Sequence, residues 1–152
     1  MHTSKRLELA VTKLYEAFHN NKLNPEICTK CAVGNICDNL DFWSHLTDIH
    51  GSVKLNYVGL VNQNFGKRFF GYSPIELLQI EAAFLKGCGY ELPLDGKNKK
   101  PSNPKDKSVL FDGLCEAIGL LCQLDGVENV MNYTKLFEYE NEIPKYSFDS
   151  VY

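Results

Sequence analysis

The sequence predicts an all-α protein, a compact single domain built as a bundle of five to seven helices. Apolar residues recur every three or four positions along most of the chain, which is the period of an α-helix. Helix start and stop signals flank several of these stretches. The 152 residues are 44% hydrophobic and 23% charged, which is typical of a globular domain large enough to bury a core.

The first predicted helix covers about residues 4–19, and its apolar stripe consists of Leu7, Val11, Leu14 and Phe18. The residues NPE at 24–26 combine an N-cap residue, a proline suited to the first helical position and an early acid. They predict a second helix that carries Cys28 and Cys31 and ends near Asn39. A short third helix is predicted over residues 41–49, with four apolar residues turned towards the core: Phe42, Trp43, Leu46 and Ile49.

Residues 53–65 fit two patterns. Leu55, Tyr57 and Val61 alternate as in a strand, whereas Val58, Val61 and Phe65 fit a helix that ends at Gly66. Because a lone strand would have no obvious partner in this chain, we favour the helix.

The clearest helix begins in the stretch GYSPIELLQIEAAFLKGCG. Ser73 is its N-cap, Pro74 takes the first position, Glu76 completes a capping box, and Gly87 or Gly89 ends it. The polar linker DGKNKKPSNPKDK follows, and then a helix over about residues 107–124 whose stripe is Phe111, Cys115, Ile118 and Cys122. A last helix is predicted near residues 128–139. Residues 1–140 then form one domain, and residues 141–152 form an acidic, aromatic tail.

The charge pattern limits the classes of partner. A net charge of −3 argues against a nucleic-acid partner bound through overall positive charge. The sequence lacks a signal-peptide pattern and an apolar run of about 18 residues, so we expect no membrane partner and a cytoplasmic location. Thiols stay reduced in that compartment.

The stretch ICTKCAVGNIC at 27–37 contains three of the six cysteines. On the predicted second helix, Cys28 and Cys31 share one face, and two thiolates so placed can bind one metal ion, zinc or iron. Cys37 points away from that face unless the helix breaks near Gly34. A single C-x-x-C is half of a metal site, so further ligands must come from elsewhere.

Three residues are candidates for those further ligands. Cys88 is the first, and it shares the apolar face of the Ser73 helix with Glu81. Glu81 is an acid on that apolar face, and a buried carboxylate is costly unless it is paired, hydrogen-bonded or bound to a metal. A satisfied buried acid is the alternative for Glu81. His50 is the third candidate, as a nitrogen ligand to the Cys28 site.

Two other hypotheses compete with a metal site. In the first, the thiols only pack, and the protein binds a protein partner through its aromatic tail or through residues 69–72. In the second, the protein is a thiol redox protein whose Cys28 has a low pKa because it lies in the first turn of a helix. The βαβ setting of a thioredoxin-like motif is missing. Cys115 and Cys122 are interpreted as small core residues.

No motif predicts an enzyme class, since phosphate-binding loops, G-x-S-x-G and H-E-x-x-H are all missing from the sequence. Asp41, His45 and Asp48 share a helix face, but that face points away from the apolar residues of the same segment. We therefore interpret the trio as solvated.

The stretches NPEICTKCAVGNICDN, LNYVG, GYSPIELLQIEAAFLKGCGY and LFDGLC resemble a family of short bacterial proteins that carry the label of F subunit of the sodium-translocating NADH:quinone reductase. The resemblance extends to about residue 140 and implies no activity or site residues for the short family. A full F subunit adds a membrane anchor, a ferredoxin domain and a flavin- and NADH-binding module. This chain has neither that length nor the ferredoxin cysteine order, so the resemblance does not imply NADH oxidation.

Overall fold

A computed structural model describes residues 4–94 and 98–127 of the chain. The predicted all-α class is confirmed, because these residues form only helices, turns and one isolated bridge between Phe69 and Tyr72. The α-helices are α1 (Lys5–His19), α2 (Ala32–Ile36), α3 (Tyr57–Asn64), α4 (Pro74–Gly87) and α5 (Lys107–Leu124), and a 3₁₀ helix covers Asp41–His45. The helix predicted near residues 128–139 and the proposed tail lie outside the described residues.

Helices α1, α4 and α5 begin where the sequence predicts. Ser4 caps α1 by accepting the amide of Leu7, and Ser73 and Glu76 form the predicted capping box at the start of α4. Side chains that point inwards from these helices form most of the core: Leu7, Leu14, Phe18, Leu77, Ile80, Phe84, Leu114, Ile118 and Leu121. Local signals set the starts of all three helices. The predicted stripe of α5 is only partly correct, because Phe111 and Cys115 are half-buried while Leu110, Leu114 and Leu121 are buried.

Helices α4 and α5 share the largest helix–helix interface, and α1 packs against α5 and α2. Gly113 permits the close approach of α4 and α5. A Cβ atom at this position would lie 2.3 Å from the Cys88 sulfur and 2.8 Å from the Phe84 carbonyl oxygen. A side chain there would therefore push the two helices apart.

The helix predicted from Pro25 to Asn39 is wrong in its first half. Residues 24–30 form consecutive turns, in which the Asn24 amide donates to the Lys30 carbonyl at 2.8 Å and the Asn24 side chain accepts the Glu26 amide. Only the five residues of α2 are helical. Cys28 and Cys31 therefore do not share a helix face, because Cys28 lies in the turns and Cys31 is the N-cap of α2.

The third predicted helix is shorter than expected and adopts 3₁₀ geometry. Trp43 and Leu46 are buried as predicted, but Ile49 is 55% exposed, which contradicts its predicted place in the core. The trio Asp41, His45 and Asp48 is exposed, in agreement with its interpretation as a solvated face.

The ambiguous segment at 53–65 contains a helix, α3, which Asn56 caps by accepting the Gly59 amide at 2.8 Å. Among the α3 residues only Gly59 is buried, and Tyr57 and the C-cap residue Phe65 are more than four-fifths exposed. The prediction of a helix, made because a lone strand would have no partner, is confirmed, although most of its apolar side chains lie at the surface. None of the described helices combines the length and hydropathy needed to cross a membrane.

Candidate metal site

Cys31 is fixed at the start of α2. Its extended backbone places the side chain over the first turn, where the sulfur accepts the Gly34 amide at 3.3 Å. The thiol is fully buried and donates to the Cys28 carbonyl at 3.2 Å. Gly34 is required there, because a Cβ atom would lie 2.3 Å from that same carbonyl oxygen. The turns at 24–30 thus pack directly on α2 and enclose the sulfur.

Glu81 lies on the apolar face of α4, as the sequence predicts, and is only 3% exposed. One carboxylate oxygen, Oε1, accepts the Val33 amide at 3.2 Å. That amide belongs to the first turn of α2, where helical amides lack partners within the helix. The other oxygen, Oε2, is buried and has no hydrogen-bond partner among the described residues.

His50 follows the 3₁₀ helix in a loop that also contacts the residues beyond α4. Gly51 takes a positive φ of 80°, and its carbonyl accepts the Leu94 amide at 3.1 Å. The His50 ring donates from Nε2 to the Pro25 carbonyl at 2.7 Å, and Nε2 lies 4.0 Å from Glu81 Oε2. Its other nitrogen, Nδ1, is buried and has no hydrogen-bond partner in the described part of the chain.

These three side chains converge on one point. The Cys31 sulfur, one ring nitrogen of His50 and one carboxylate oxygen of Glu81 all lie within 4.8 Å of one another. They come from the start of α2, a loop and the middle of α4, so only the tertiary fold brings them together. Sulfur, imidazole nitrogen and carboxylate oxygen are the three donor types that zinc accepts from proteins.

Burial shifts the pKa values of the Glu81 and Cys31 side chains. It raises the pKa of Glu81 above its ordinary value, although the His50 ring, the Cys31 thiol and the Val33 amide act in the opposite direction. Burial also raises the pKa of Cys31 well above its ordinary value, and the charge of Glu81 adds to that effect. Burial thus shifts both groups towards their protonated forms, whereas a bound cation would favour the ionised forms.

Two predicted ligands lie outside this group. Cys28 is half-buried in the turns at 24–30, and Cys88 is buried at the C-cap of α4, facing Gly113. Neither sulfur belongs to the set of atoms within 4.8 Å of one another. Metal ligation by Cys28 and Cys88 stays a prediction without support from this grouping.

The thiols of Cys28 and Cys88 are held in their protonated forms. Burial raises the pKa of Cys28 to about 11, with further contributions from the charges of Glu81 and Asp41. Burial, followed by the charges of Glu81 and Asp112, raises the pKa of Cys88 to about 12. A reactive redox thiol needs a lowered pKa. The raised pKa of Cys28 thus argues against dithiol exchange. That hypothesis also required Cys28 to lie in the first turn of a helix, whereas Cys28 lies in the turns at 24–30.

The sequence indicates Cys31, His50 and Glu81 as candidate ligands, but it does not indicate the backbone groups that position them. The Val33 amide and the Pro25 carbonyl have no side-chain signal in the sequence. Cys122 packs in the core as interpreted, and Cys115 is half-buried against it.

No protein-family model matches the chain, and neither a curated protein nor a solved structure shows significant similarity to it. The resemblance described above therefore stays a prediction. Function has to be argued from the chemistry of the site itself.

Proposed function

We propose that this protein binds one divalent transition-metal ion, with zinc as the best fit, through Cys31, His50 and Glu81. The observation that supports the proposal is the convergence of three different donor atoms at one buried point. Two buried polar atoms without hydrogen-bond partners, Oε2 of Glu81 and Nδ1 of His50, belong to the same residues. Buried polar atoms normally have partners, and an ion bound by Oε2 of Glu81 and Nδ1 of His50 would satisfy both atoms.

The spacing of the donors suits a small ion after a modest contraction. In a tetrahedral zinc site, bonds of about 2.0–2.3 Å place neighbouring ligand atoms roughly 3.3–3.8 Å apart. The three donor atoms here are separated by up to 4.8 Å. Closing the site requires shifts of about 1 Å, which the loop that holds His50 is placed to supply.

The hydrogen bond of His50 is compatible with ligation. In the neutral ring that donates from Nε2 to the Pro25 carbonyl, Nδ1 carries a free lone pair. Histidine ligands commonly donate their other N–H group to a backbone carbonyl, which fixes the tautomer and the orientation of the ring. Binding through Nδ1 keeps this hydrogen bond. Binding through Nε2, the ring nitrogen that lies 4.0 Å from Glu81 Oε2, would require the ring to give up its hydrogen bond to Pro25.

Donor chemistry favours zinc over iron. Zinc accepts a mixed set of thiolate, imidazole and carboxylate without a strong preference of geometry. Non-haem iron sites typically use two histidines and one carboxylate, and they lack a thiolate. Three protein donors leave one coordination position for water or another ligand.

The test is a metal titration of the purified full chain. Addition of Co²⁺ to the metal-free protein should give visible d–d bands and a thiolate charge-transfer band, which saturate at about one equivalent and disappear when Zn²⁺ displaces the cobalt. Less than about a tenth of an equivalent of bound metal would contradict a tight site.

A matched pair of variants separates ligation from packing. Cys31→Ala and Cys122→Ala each remove one buried thiol, but only the first removes a proposed donor. We expect Cys31→Ala to lose the thiolate charge-transfer band and Cys122→Ala to retain it. If both variants bind Co²⁺ as the parent chain does, Cys31 is not a ligand.

A further inference from the structure

A groove of about 280 Å³ lies between α1 and the tight turn at residues 69–72, far in sequence from the proposed metal ligands. Leu9 forms one wall and Phe70 the other, and these side chains are 47% and 39% exposed. Lys5, Arg6 and Lys13 also line the groove. The surface therefore combines exposed apolar side chains with cations.

Phe70 is held at the groove in a conformation that bulky residues rarely adopt. Its φ is +55°, in the left-handed region. The turn around it is closed by two backbone hydrogen bonds between Phe69 and Tyr72, of 2.8 and 3.0 Å. Arg6 and Arg68 both donate to the Gly71 carbonyl, at 2.7 and 3.1 Å. Strained conformations persist only where the surroundings enforce them, and they concentrate at binding surfaces.

The Phe70 ring is held in place by contacts with Phe42 and Lys13. It stacks on Phe42 with 6.2 Å between ring centroids, and Lys13 Nζ lies 4.6 Å from its centroid. The ring is thus fixed while its outer part stays exposed. A rigid aromatic side chain is a low-entropy contact surface for a partner.

The cations of the groove are only partly neutralised. Arg6 pairs with Glu76 and Asp125, and Lys13 pairs with Asp38 at 2.8 Å. Lys5 is exposed and has no carboxylate within 4.0 Å among residues 4–94 and 98–127. The groove can therefore accept an additional acidic group beside its apolar walls.

The sequence that follows α5 has matching chemistry. Residues 128–152 contain five acids and two lysines, so this segment accounts for the whole net charge of −3. It also contains six aromatic residues. The last described residues lie close to the groove, since Asp125 accepts from the groove residue Arg6 at 2.8 Å. A chain of only a few residues would connect the groove to the segment, because three residues span at most about 10 Å.

We propose that the groove formed by Leu9, Phe70 and Lys5 is the docking site for the C-terminal segment 128–152 of the same chain. Aromatic side chains of the segment pack between Leu9 and Phe70, and its carboxylates lie near Lys5. Docking within one chain needs no second molecule, because the short connection gives the segment a high effective concentration at the groove.

Photo-crosslinking of the full chain tests this assignment. The photoreactive residue p-benzoylphenylalanine replaces Leu9, and peptides joined after irradiation are identified by mass spectrometry in an equal mixture of ¹⁴N- and ¹⁵N-labelled protein. We expect crosslinks to residues 128–152 that join peptides of the same isotope. Mixed-isotope crosslinks would instead identify a second copy as the occupant. If no crosslink to the segment forms, the segment does not dock in the groove. Either result overturns the proposal.

Limited proteolysis gives a second measurement on the full chain. Trypsin can cleave the segment after Lys135 and Lys145. Leu9→Glu places a carboxylate in the groove and should raise the rate of these cleavages several-fold. Tyr57→Glu is the control, because Tyr57 is 81% exposed on α3, away from the groove, and should leave the rate unchanged. Equal rates in Leu9→Glu and the parent chain would contradict docking at this site.

Discussion

Two clusters of ionisable side chains connect the helices of this protein, and they differ in how many of their polar atoms have hydrogen-bond partners. In the first, Arg6 bonds to Asp125 through Nε at 2.8 Å and through its terminal nitrogen at 2.6 Å, and it reaches Glu76 at 3.2 Å. Ser4 also donates to Asp125. The guanidinium lies 4.5 Å above the Tyr72 ring. The Tyr72 hydroxyl has no hydrogen-bond partner among the described residues, but it carries no charge.

The second cluster, Cys31, His50 and Glu81, is more deeply buried, and more of its polar atoms have no hydrogen-bond partner in the described part of the chain. It places an acid and a thiol around one imidazole, and a buried carboxylate oxygen and a ring nitrogen have no hydrogen-bond partner among the described residues. In the Arg6 cluster a permanent cation neutralises the acids. The Cys31 cluster has no such cation, and this difference distinguishes a structural ion network from a candidate metal site.

We expect the greatest loss of stability from a substitution in the Arg6 cluster. Arg6→Met should lower the free energy of unfolding by about 3 kcal/mol, because it leaves the buried side chain of Asp125 without its cation and leaves Glu76 only its longer contact with Arg68 at 3.5 Å. The loss should be the same in chelator and in zinc. Denaturant unfolding followed by the fluorescence of Trp43, which is buried, measures it. Replacing the exposed Lys30 by Met should change the value by less than about 0.5 kcal/mol. A zinc-dependent loss in Arg6→Met would show that the clusters are not independent.

The second effect is the stabilisation by zinc. A ligand that binds only the folded state at a free concentration of about 100 times its Kd raises the free energy of unfolding by about 2.7 kcal/mol. We expect this gain in the parent chain and in Arg6→Met, and its loss in Cys31→Ala. The measurement is the same unfolding curve at several buffered zinc concentrations. A gain that persists in Cys31→Ala would place the zinc elsewhere.

Glu81→Gln should have a smaller effect on the metal-free protein. The amide can still accept the Val33 N–H group, and it removes an acid whose pKa burial has raised. We expect stability in chelator to stay within about 1 kcal/mol of the parent chain, together with loss of the stabilisation by zinc. A loss of about 3–5 kcal/mol in chelator would instead identify Glu81 and His50 as a structural ion pair.

The smallest effect concerns Cys28, whose thiol should react slowly near neutral pH. Only the thiolate is nucleophilic, and a pKa of about 11 keeps the thiol protonated. Alkylation of the metal-free protein by iodoacetamide should accelerate about tenfold per pH unit from pH 7 and level off near 11. Mass spectrometry of the modified peptide gives the rate. A plateau below pH 8 would indicate an activated thiol and revive the redox hypothesis.

The sequence predicts the parts of the fold that depend on local signals. Helix α5 covers Lys107–Leu124, the predicted range, and the capping box of α4 forms from the expected residues. The sequence predicts a helix where residues 24–30 form turns, because an asparagine followed by proline and glutamate can cap a turn as well as a helix. Here the Asn24 side chain accepts the Glu26 amide, and the chain folds back to Lys30.

The candidate site is predictable only in part, for a related reason. Glu81 can be identified from the sequence because it is an acid on an apolar helix face, and helical periodicity is a local property of the sequence. The position of Cys31 at the start of α2, and the approach of His50 to Glu81, depend on turns and loops that pack across the domain. Spacing in the sequence pairs Cys31 with Cys28, whereas the fold pairs it with His50 and Glu81.

X-ray absorption at the zinc edge of the zinc-loaded full chain is the sharpest test of zinc binding by Cys31. We expect one sulfur neighbour at about 2.3 Å and nitrogen or oxygen neighbours at about 2.0–2.2 Å. The sulfur contribution should disappear in Cys31→Ala and remain in Cys122→Ala. A spectrum with only nitrogen and oxygen neighbours in the parent chain would contradict a zinc site built on Cys31.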